Sequence, residues 1–306
     1  MRAWIGGVLG VCLSAVMIQS DGSGGRDAPV PLLSAPAAPL PDPSTDPIYV
    51  CPMDPDVRSH NPGTCRRCGM ALVAGIPEPA EFHMDLSVIP QAPHALDPAV
   101  LQFRVHDPWK DRPVPRFTVV HERLFHAFVV SEDLEFFEHG HPTLIGEGTF
   151  QYPLVFPKAG MFRILGDFYP EGATPQLITQ TVLVPGPAPP APHLARDYSA
   201  KAGANLRAAL EVIPDAPIAG NRTQLRLTID PGDRLQRYLG VWAHLLAVSD
   251  DLIDMMHEHP TFADGGPMLE FAVVFPRAQP YRIWVQLQRD GVVNTVHFDV
   301  PVKAID

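Results

Sequence analysis

Three cysteines lie close together in a short stretch and have the spacing of metal ligands. Cys65 and Cys68, in "CRRCGM", form a C-x2-C pair, in which a tight turn aims two thiolates at one ion. Cys51 and Asp54, three residues apart in "CPMD", supply a second pair. The spacing predicts a four-coordinate site made of Cys51, Asp54, Cys65 and Cys68, with His60 of the intervening loop as the alternative fourth ligand.

The sequence around these cysteines has a characteristic opening, "YVCPMDP", and a characteristic close, "PGTCRRCGMAL". It resembles the small heavy-metal-binding domain of bacterial copper and silver efflux adaptors and of some metal-transporting P-type ATPases, with the pattern Y-x-C-P-M-H-P followed by P-G-x-C-P-x-C-G-M-x-L. Asp54 stands where the family has His, and Arg66 where it has Pro. The resemblance implies a heavy-metal ion as cofactor.

The departure at Asp54 affects which ion is expected, because a carboxylate favours zinc over the softer Cu(I). If the ion is Cu(I), Met53 and Met70 are candidate thioether ligands, and the alternative is that both pack in the small core. For the cysteines, the alternative to metal ligation is a disulfide between Cys65 and Cys68.

Two further sets of candidate ligands are histidines. "HAFVVSEDLEFFEHGHP" and "HLLAVSDDLIDMMHEHP" align without gaps, and each has the spacing H-x12-H-x-H-P. Histidines at i and i+2 of an extended strand point the same way, and a tight turn could bring the third beside them. Three imidazoles would suit Cu(II) or zinc. The alternative is that they hydrogen-bond backbone carbonyls. The six residues are His126, His139, His141, His244, His257 and His259.

The remaining histidines of the two repeats have no counterpart in the other copy. We interpret them as ordinary residues without a metal role. They are His83, His94, His106, His121, His193 and His297.

The histidine sets belong to a longer duplication that indicates the fold. "LSVIPQAP" corresponds to "LEVIPDAP", and "FPKAGMFRI" to "FPRAQPYRI". Each copy contains short alternating or β-branched runs separated by Pro, Gly and Asp at intervals of about ten residues, as in antiparallel sandwiches. We predict a mainly β protein: a small metal-knuckle module followed by two tandem sandwiches of immunoglobulin or cupredoxin-like type. Only "SEDLEFFEH" and "SDDLIDMMHE" are candidates for a short helix.

Composition shifts divide the chain into six segments. Arg2 and the apolar run that follows are typical of an export signal, or alternatively of an uncleaved anchor, and no other membrane span is expected. Cys12 leaves with the signal. The predicted segments are a signal peptide (1–20), a Pro/Ala-rich tether (21–47), the metal module (48–76), repeat 1 (81–184), a linker (185–204) and repeat 2 (205–303).

Charge and motifs narrow the function classes. With a net charge of −11, the chain lacks the basic surface that nucleic acid requires. It contains no nucleophile elbow, P-loop, dinucleotide fingerprint or H-E-x-x-H motif, which argues against an enzyme. We therefore expect a periplasmic or otherwise exported protein that captures, buffers or hands over copper, zinc or similar ions. The alternatives are a docking module of a metal efflux or envelope assembly, and a metal-dependent enzyme.

Overall fold

The computed structural model describes residues 49–54, 57–59, 61–75, 81–107, 112–171 and 173–305. Every regular element in these ranges is a β-strand, and all the sheets are antiparallel, so the predicted fold class is confirmed. Within the same ranges there is no helix of the length and hydropathy needed to cross a membrane. The predicted signal peptide and tether lie outside the described residues, as does His60.

The metal module is a three-stranded sheet. Its strands are β1 (Tyr49–Val50), β2 (Arg58–Ser59) and β3 (Val73–Ala74), in the order β2-β1-β3. A bridge between Thr64 and Ala71 closes the loop that carries the C-x2-C pair. Gly69 ends the turn with a φ of 78°, a conformation that favours glycine. The short strands thus hold the two ligand pairs next to each other.

Repeat 1 is a sandwich of two sheets. Its strands are β4 (His83–Ile89), β5 (Pro98–Asp107), β6 (Arg112–Pro113), β7 (Phe125–Ser131), β8 (Phe137–Gly140), β9 (Thr143–Gly146), β10 (Thr149–Val155), β11 (Gly160–Phe168) and β12 (Gln176–Val184). One sheet has the order β4-β5-β10-β9, with β6 paired to β5, and the other has the order β12-β11-β7-β8. Alternate residues such as Leu101, Phe103 and Val105 fill the space between the sheets.

Repeat 2 has the same plan. Its strands are β13 (Lys201–Ala202), β14 (Arg207–Ile213), β15 (Arg222–Asp230), β16 (Leu235–Gln236), β17 (His244–Ser249), β18 (Met255–Glu258), β19 (Phe262–Ala263), β20 (Met268–Val274), β21 (Pro280–Arg289) and β22 (Val292–Pro301). The sheets are β13-β14-β15-β20-β19 and β16-β21-β17-β18, with β22 paired to β21. The segment predicted as a linker contributes β13, and Asp197 pairs with Asp299 of β22.

The two repeats pack against each other through equivalent strands. Every residue of β7 and of β17 is buried. In an isolated sandwich, alternate residues of such a strand would be exposed to solvent. Along β7, Phe125 and Val129 belong to the core of repeat 1, whereas Phe128 faces the other repeat. An apolar cluster drawn from both repeats forms this contact: Phe128, Val130, Leu134, Leu165, Leu246, Val248, Leu252 and Trp284.

The expected short helices are wrong. Ser131 instead begins a turn, in which its hydroxyl donates to Asp133 (2.6 Å) and accepts from the Phe136 amide (2.9 Å). Leu134 has a φ of 59° within this turn and is fully buried between the repeats. The same bonds recur at Ser249. Local side-chain bonds and burial of Leu134 therefore outweigh helix propensity, and a strand follows each turn.

Candidate metal centres

The structure brings the four predicted ligands of the metal module together. Cys51 Sγ lies 3.4 Å from Cys68 Sγ, and Asp54 Oδ2 lies 3.4 Å from Cys65 Sγ and 3.8 Å from Cys51 Sγ. All three cysteines are buried and free of disulfides. Three sulfurs and one carboxylate oxygen within mutual reach are a donor set that fits one tetrahedral ion.

Neighbouring groups orient these ligands and favour a thiolate at Cys51. Arg67 Nη1 donates to Asp54 Oδ1 (2.9 Å), which leaves Oδ2 facing the sulfurs. The backbone amides of Asp54 and Arg67 donate to Cys51 Sγ (3.2 Å) and Cys65 Sγ (3.4 Å). The Cys68 thiol donates to Cys51 and lowers the pKa of Cys51 to about 6, whereas burial raises the pKa of Cys65. Cys51 is therefore the thiol that is most readily ionised.

The two methionines lie at the edge of this site. Met70 is buried in the same apolar cluster as the cysteines, together with Val120 and Tyr169 of repeat 1. Met53 is partly buried, and the Tyr169 hydroxyl lies 3.9 Å from its sulfur. Both methionines therefore pack in the small core, and their role as thioether ligands stays a prediction. The contacts also join the metal module to repeat 1.

The first histidine set is assembled by one strand pairing and one turn. His126 lies on β7, on the same face of the strand as Phe128 two residues further on. Phe128 pairs with His139 of β8, so the His139 side chain is on that face too. Both histidines therefore face repeat 2. His141, two residues beyond His139, follows on the same side. His126 Nδ1 lies 3.0 Å from His139 Nε2, and a nitrogen of His141 lies within 4.8 Å of both.

Hydrogen bonds to neighbouring groups hold two rings of this set in place. His126 Nε2–H donates to the Val120 carbonyl (3.1 Å), and His139 Nδ1–H donates to Gln286 Oε1 (2.8 Å). Gln286 Nε2 donates to the Thr295 hydroxyl (3.0 Å). Burial lowers the pKa of His126 to about 4 and that of His139 well below its usual value, so both rings are neutral.

Two ring nitrogens of neutral histidines lie 3.0 Å apart at the centre of this set. According to the tautomer of His139, His126 Nδ1 and His139 Nε2 either share one proton in a hydrogen bond or present two lone pairs to a cation. His141 Nε2 is also buried and has no partner among the described residues. Nitrogen ligands at about 2.0 to 2.1 Å from an ion lie about 2.8 to 3.4 Å apart in square or tetrahedral geometry. The distance between His126 Nδ1 and His139 Nε2 lies in this range.

The second set repeats this geometry with one difference. His244 Nε2–H donates to the Tyr238 carbonyl (3.1 Å), and His244 Nδ1 lies 3.1 Å from both His257 Nε2 and His259 Nε2. His257 Nδ1–H donates to Asp167 Oδ2 (2.6 Å) rather than to an amide oxygen. Burial lowers the pKa of His244 and of His259 well below the usual value.

The two sets adjoin each other at the contact between the repeats. The ring centres of His139 and His244 are 5.2 Å apart, and those of His126 and His244 are 6.0 Å apart. Rings within the second set are separated by 4.5 to 5.4 Å. The spacing between sets is thus close to the spacing within a set.

Three residues near the sets were missed by the sequence analysis. His121, interpreted as ordinary, is buried with its ring 4.0 Å from His259, and its Nε2 has no partner among the described residues. Its counterpart is Leu239, so the duplication gave no signal. Asp167 and Gln286 occupy equivalent positions after "FPKAG" and "FPRAQ", and that equivalence was the available clue.

A cleft connects the cysteine site with the second histidine set. Asp54 and Cys68 line it on one side, and His257, Glu258 and His259 line it on the other. Its volume is about 740 Å³. Burial raises the pKa of Glu258 to about 7, and the nearby Asp54 adds to the effect. An ion leaving either site would therefore enter a space that contains ligands of the other.

Two parts of the chain match family models. Residues 48–74 match the heavy metal binding domain, which confirms the resemblance seen in the sequence. Residues 204–304, which include repeat 2, match DUF8832, a domain of unknown function. No curated protein matches the chain. The metal module thus has a family with a described chemistry, and repeat 2 has a family without one.

Similar solved structures include two bacterial adhesins and a set of fibronectin(III)-like modules. InvE of Yersinia pseudotuberculosis is 12% identical, with 72% of this chain and 59% of that chain covered and a TM-score of 0.23. FdeC of Escherichia coli is 13% identical, with 78% and 69% covered and a TM-score of 0.25. The CbhA fibronectin(III)-like modules of Clostridium thermocellum are 11% identical, with 72% and 95% covered and a TM-score of 0.20. Likenesses at these scores carry no argument about function.

Proposed function

We propose that this protein binds heavy-metal ions outside the cytoplasm, and that it captures, buffers and hands over copper, zinc or similar ions. The observation that carries the proposal is the convergence of one nitrogen each from His126, His139 and His141 within 4.8 Å of one another, where the buried His141 Nε2 has no hydrogen-bond partner among the described residues. The match of residues 48–74 to the heavy metal binding domain supports the same function independently.

The donor sets indicate the class of ion at each site. Three thiolates with a carboxylate suit zinc, and they accept Cu(I) if a methionine replaces the carboxylate. Sets of three imidazoles suit Cu(II) or zinc. We propose zinc or copper for all three sites. The export signal read from Arg2 and the apolar run supports a location outside the cytoplasm.

Hand-over is supported by the position of the sites. Cys68 and His259 line the same cleft, so an ion has a path between thiolate and imidazole ligands without crossing the apolar core. We propose a metal efflux or envelope protein as the acceptor. We also propose a binder rather than an enzyme, since Gly140 of the first set aligns with Glu258 of the second and no general base is common to both.

Native mass spectrometry of the metal-loaded protein tests the proposal. We expect three zinc ions per chain, two in a variant with Cys51, Cys65 and Cys68 changed to Ser, and two in His126→Ala. The matched control is His94→Ala, an exposed histidine outside the sets, which should retain three ions. Uptake of a single ion that His126→Ala leaves unchanged would show that the histidines are structural.

A further inference from the structure

Each histidine set is oriented by the opposite repeat. His139 of repeat 1 donates to Gln286 of repeat 2, and His257 of repeat 2 donates to Asp167 of repeat 1. The two acceptors are equivalent: Asp167 pairs with His126 across β11 and β7, and Gln286 pairs with His244 across β21 and β17. Neither set is therefore complete within its own repeat.

We propose that the six histidines form a single two-ion centre for divalent transition-metal cations at the contact between the repeats, and that Asp167 makes the second set the tighter site. This inference rests on the proposed metal-binding function and adds to it the unequal affinity of the two sets. Their rings are 5.2 to 6.1 Å apart across the contact, so the two ions are close neighbours.

The charge of Asp167 distinguishes the two sites. The carboxylate is 2% exposed, its Oδ2 accepts from His257, and its Oδ1 has no hydrogen-bond partner among the described residues. Burying a carboxylate is costly, and a cation held by His257 offsets that cost. A carboxylate behind a ligating histidine also makes the other nitrogen a stronger donor. Gln286, being neutral, gives the first set neither advantage.

Repulsion between the two ions separates the two binding steps further. Two divalent cations in a buried space repel each other strongly, because the interior screens charge far less than water does. The first ion therefore occupies the set that has the carboxylate, and its charge opposes binding of the second. The centre should fill in two separate steps, with the second set first.

Exchanging the two acceptors tests the inference. The full chain and the variants Asp167→Asn and Gln286→Glu are titrated with Co(II), whose thiolate charge-transfer bands identify the cysteine site and whose weaker bands report the imidazole sites. Asp167→Asn replaces the carboxylate beside the second set by a neutral amide, as in the first set. Gln286→Glu places a carboxylate beside the first set, as in the second. The metal-free variants are unfolded in parallel, and equal midpoints show that the substitutions leave the fold intact.

We expect Asp167→Asn to weaken only the tighter imidazole step, by about 10- to 100-fold, and Gln286→Glu to tighten the weaker step by about 10-fold. Two imidazole steps that neither variant changes selectively would overturn the inference and leave the proposed function standing. A wild-type chain without any imidazole step would overturn the inference and show that the histidines are structural, and a wild-type chain without the thiolate bands as well would overturn the proposed function. If Asp167→Asn does not fold, Gln286→Glu decides, because that side chain is only partly buried and also contacts Thr295.

Discussion

Asp54 is the residue at which the cysteine site departs from the family pattern. It replaces the histidine of the family pattern, and its Oδ2 lies 3.4 Å from Cys65 Sγ. Arg67 holds the other oxygen, so the carboxylate is already placed toward the sulfurs. The Asp54 carboxylate thus lies where the spacing predicted, and its role as the fourth ligand stays a prediction.

Changing Asp54 should alter metal affinity in opposite directions according to the new side chain. Asp54→His restores the family ligand and should tighten binding of Cu(I), whereas Asp54→Ala should weaken zinc binding by about 10- to 100-fold. Competition with a chromophoric chelator measures both. Asp97→Ala, an exposed carboxylate in repeat 1, is the control. An Asp54→Ala protein with unaltered affinity would place Asp54 outside the coordination sphere.

The buried histidines should make the metal-free protein sensitive to mild acid. Burial lowers the pKa of His121 and His141 to about 3 and that of His126 to about 4, below the unfolded value of about 6.5. The unfolded state therefore binds more protons, and their contribution to stability is present above pH 6.5 and is lost as the pH falls. Each contributes about 1.4 kcal/mol per pH unit in that window.

Denaturant unfolding of the metal-free protein at pH 7.5, 6.0 and 5.0 measures this loss. The window lies above the pH at which most carboxylates titrate, so the histidines dominate it. His126→Gln should make the free energy of unfolding less dependent on pH. His83→Gln, at an exposed position, should leave that dependence unchanged. A free energy of unfolding that is constant from pH 7.5 to 5.0 would contradict neutral buried rings.

At the scale of elements, strand β8 positions His139 and His141 through a glycine between them. A Cβ on Gly140 would lie 2.3 Å from the Tyr152 ring, so β8 packs against β10 only because this residue has no side chain. The equivalent residue in repeat 2 is Glu258. The packing of Tyr152 thus requires glycine at position 140 of repeat 1.

Gly140→Ala should displace β8 and weaken the first histidine set selectively. We expect a loss of about 1 to 3 kcal/mol in stability from overpacking and at least a tenfold loss in metal affinity at that set. Gly146→Ala on the neighbouring β9, where a Cβ meets nothing within 4 Å, is the control. Calorimetric titration with zinc distinguishes them, and equal affinities in the two variants would refute this role of Gly140.

The elements also show where sequence reasoning succeeds and where it stops. Alternation of period two predicted the strands, and the duplication predicted that each histidine set would recur, because both are local patterns. The acceptors of His139 and His257 lie 147 and 90 residues away in sequence. Pairings at such a distance depend on how the repeats pack. The turn at Leu134 was missed for the same reason, since burial against the other repeat determines it.

At the scale of the whole molecule, the contact between the repeats and the metal centre are one structure. Trp284 stacks on Phe137 at 5.1 Å across this contact, and Arg282 bonds to Glu135 and to the Leu134 carbonyl. The orienting acceptors cross the same surface. Packing of the repeats should therefore determine metal affinity.

Trp284→Ala should lower both stability and metal affinity. Removing this side chain costs about 3 to 5 kcal/mol and loosens the contact that brings Asp167 to His257. Ile283→Ala removes a fully buried neighbour that belongs to the core of repeat 2 alone, and should destabilise without changing zinc affinity in the folded state. The two variants are compared by thermal unfolding and zinc competition. Equal zinc affinities would show that packing and binding are independent.

The most direct test of the central claim is the anomalous scattering of a crystal of the zinc-loaded full-length protein. We predict one peak among the cysteine sulfurs and two at the repeat contact, the first between His126 Nδ1 and His139 Nε2 and the second beside His244 Nδ1. A single peak in the cysteine module, with the His126 and His139 nitrogens still in contact, would contradict the account of the histidine sets as metal ligands.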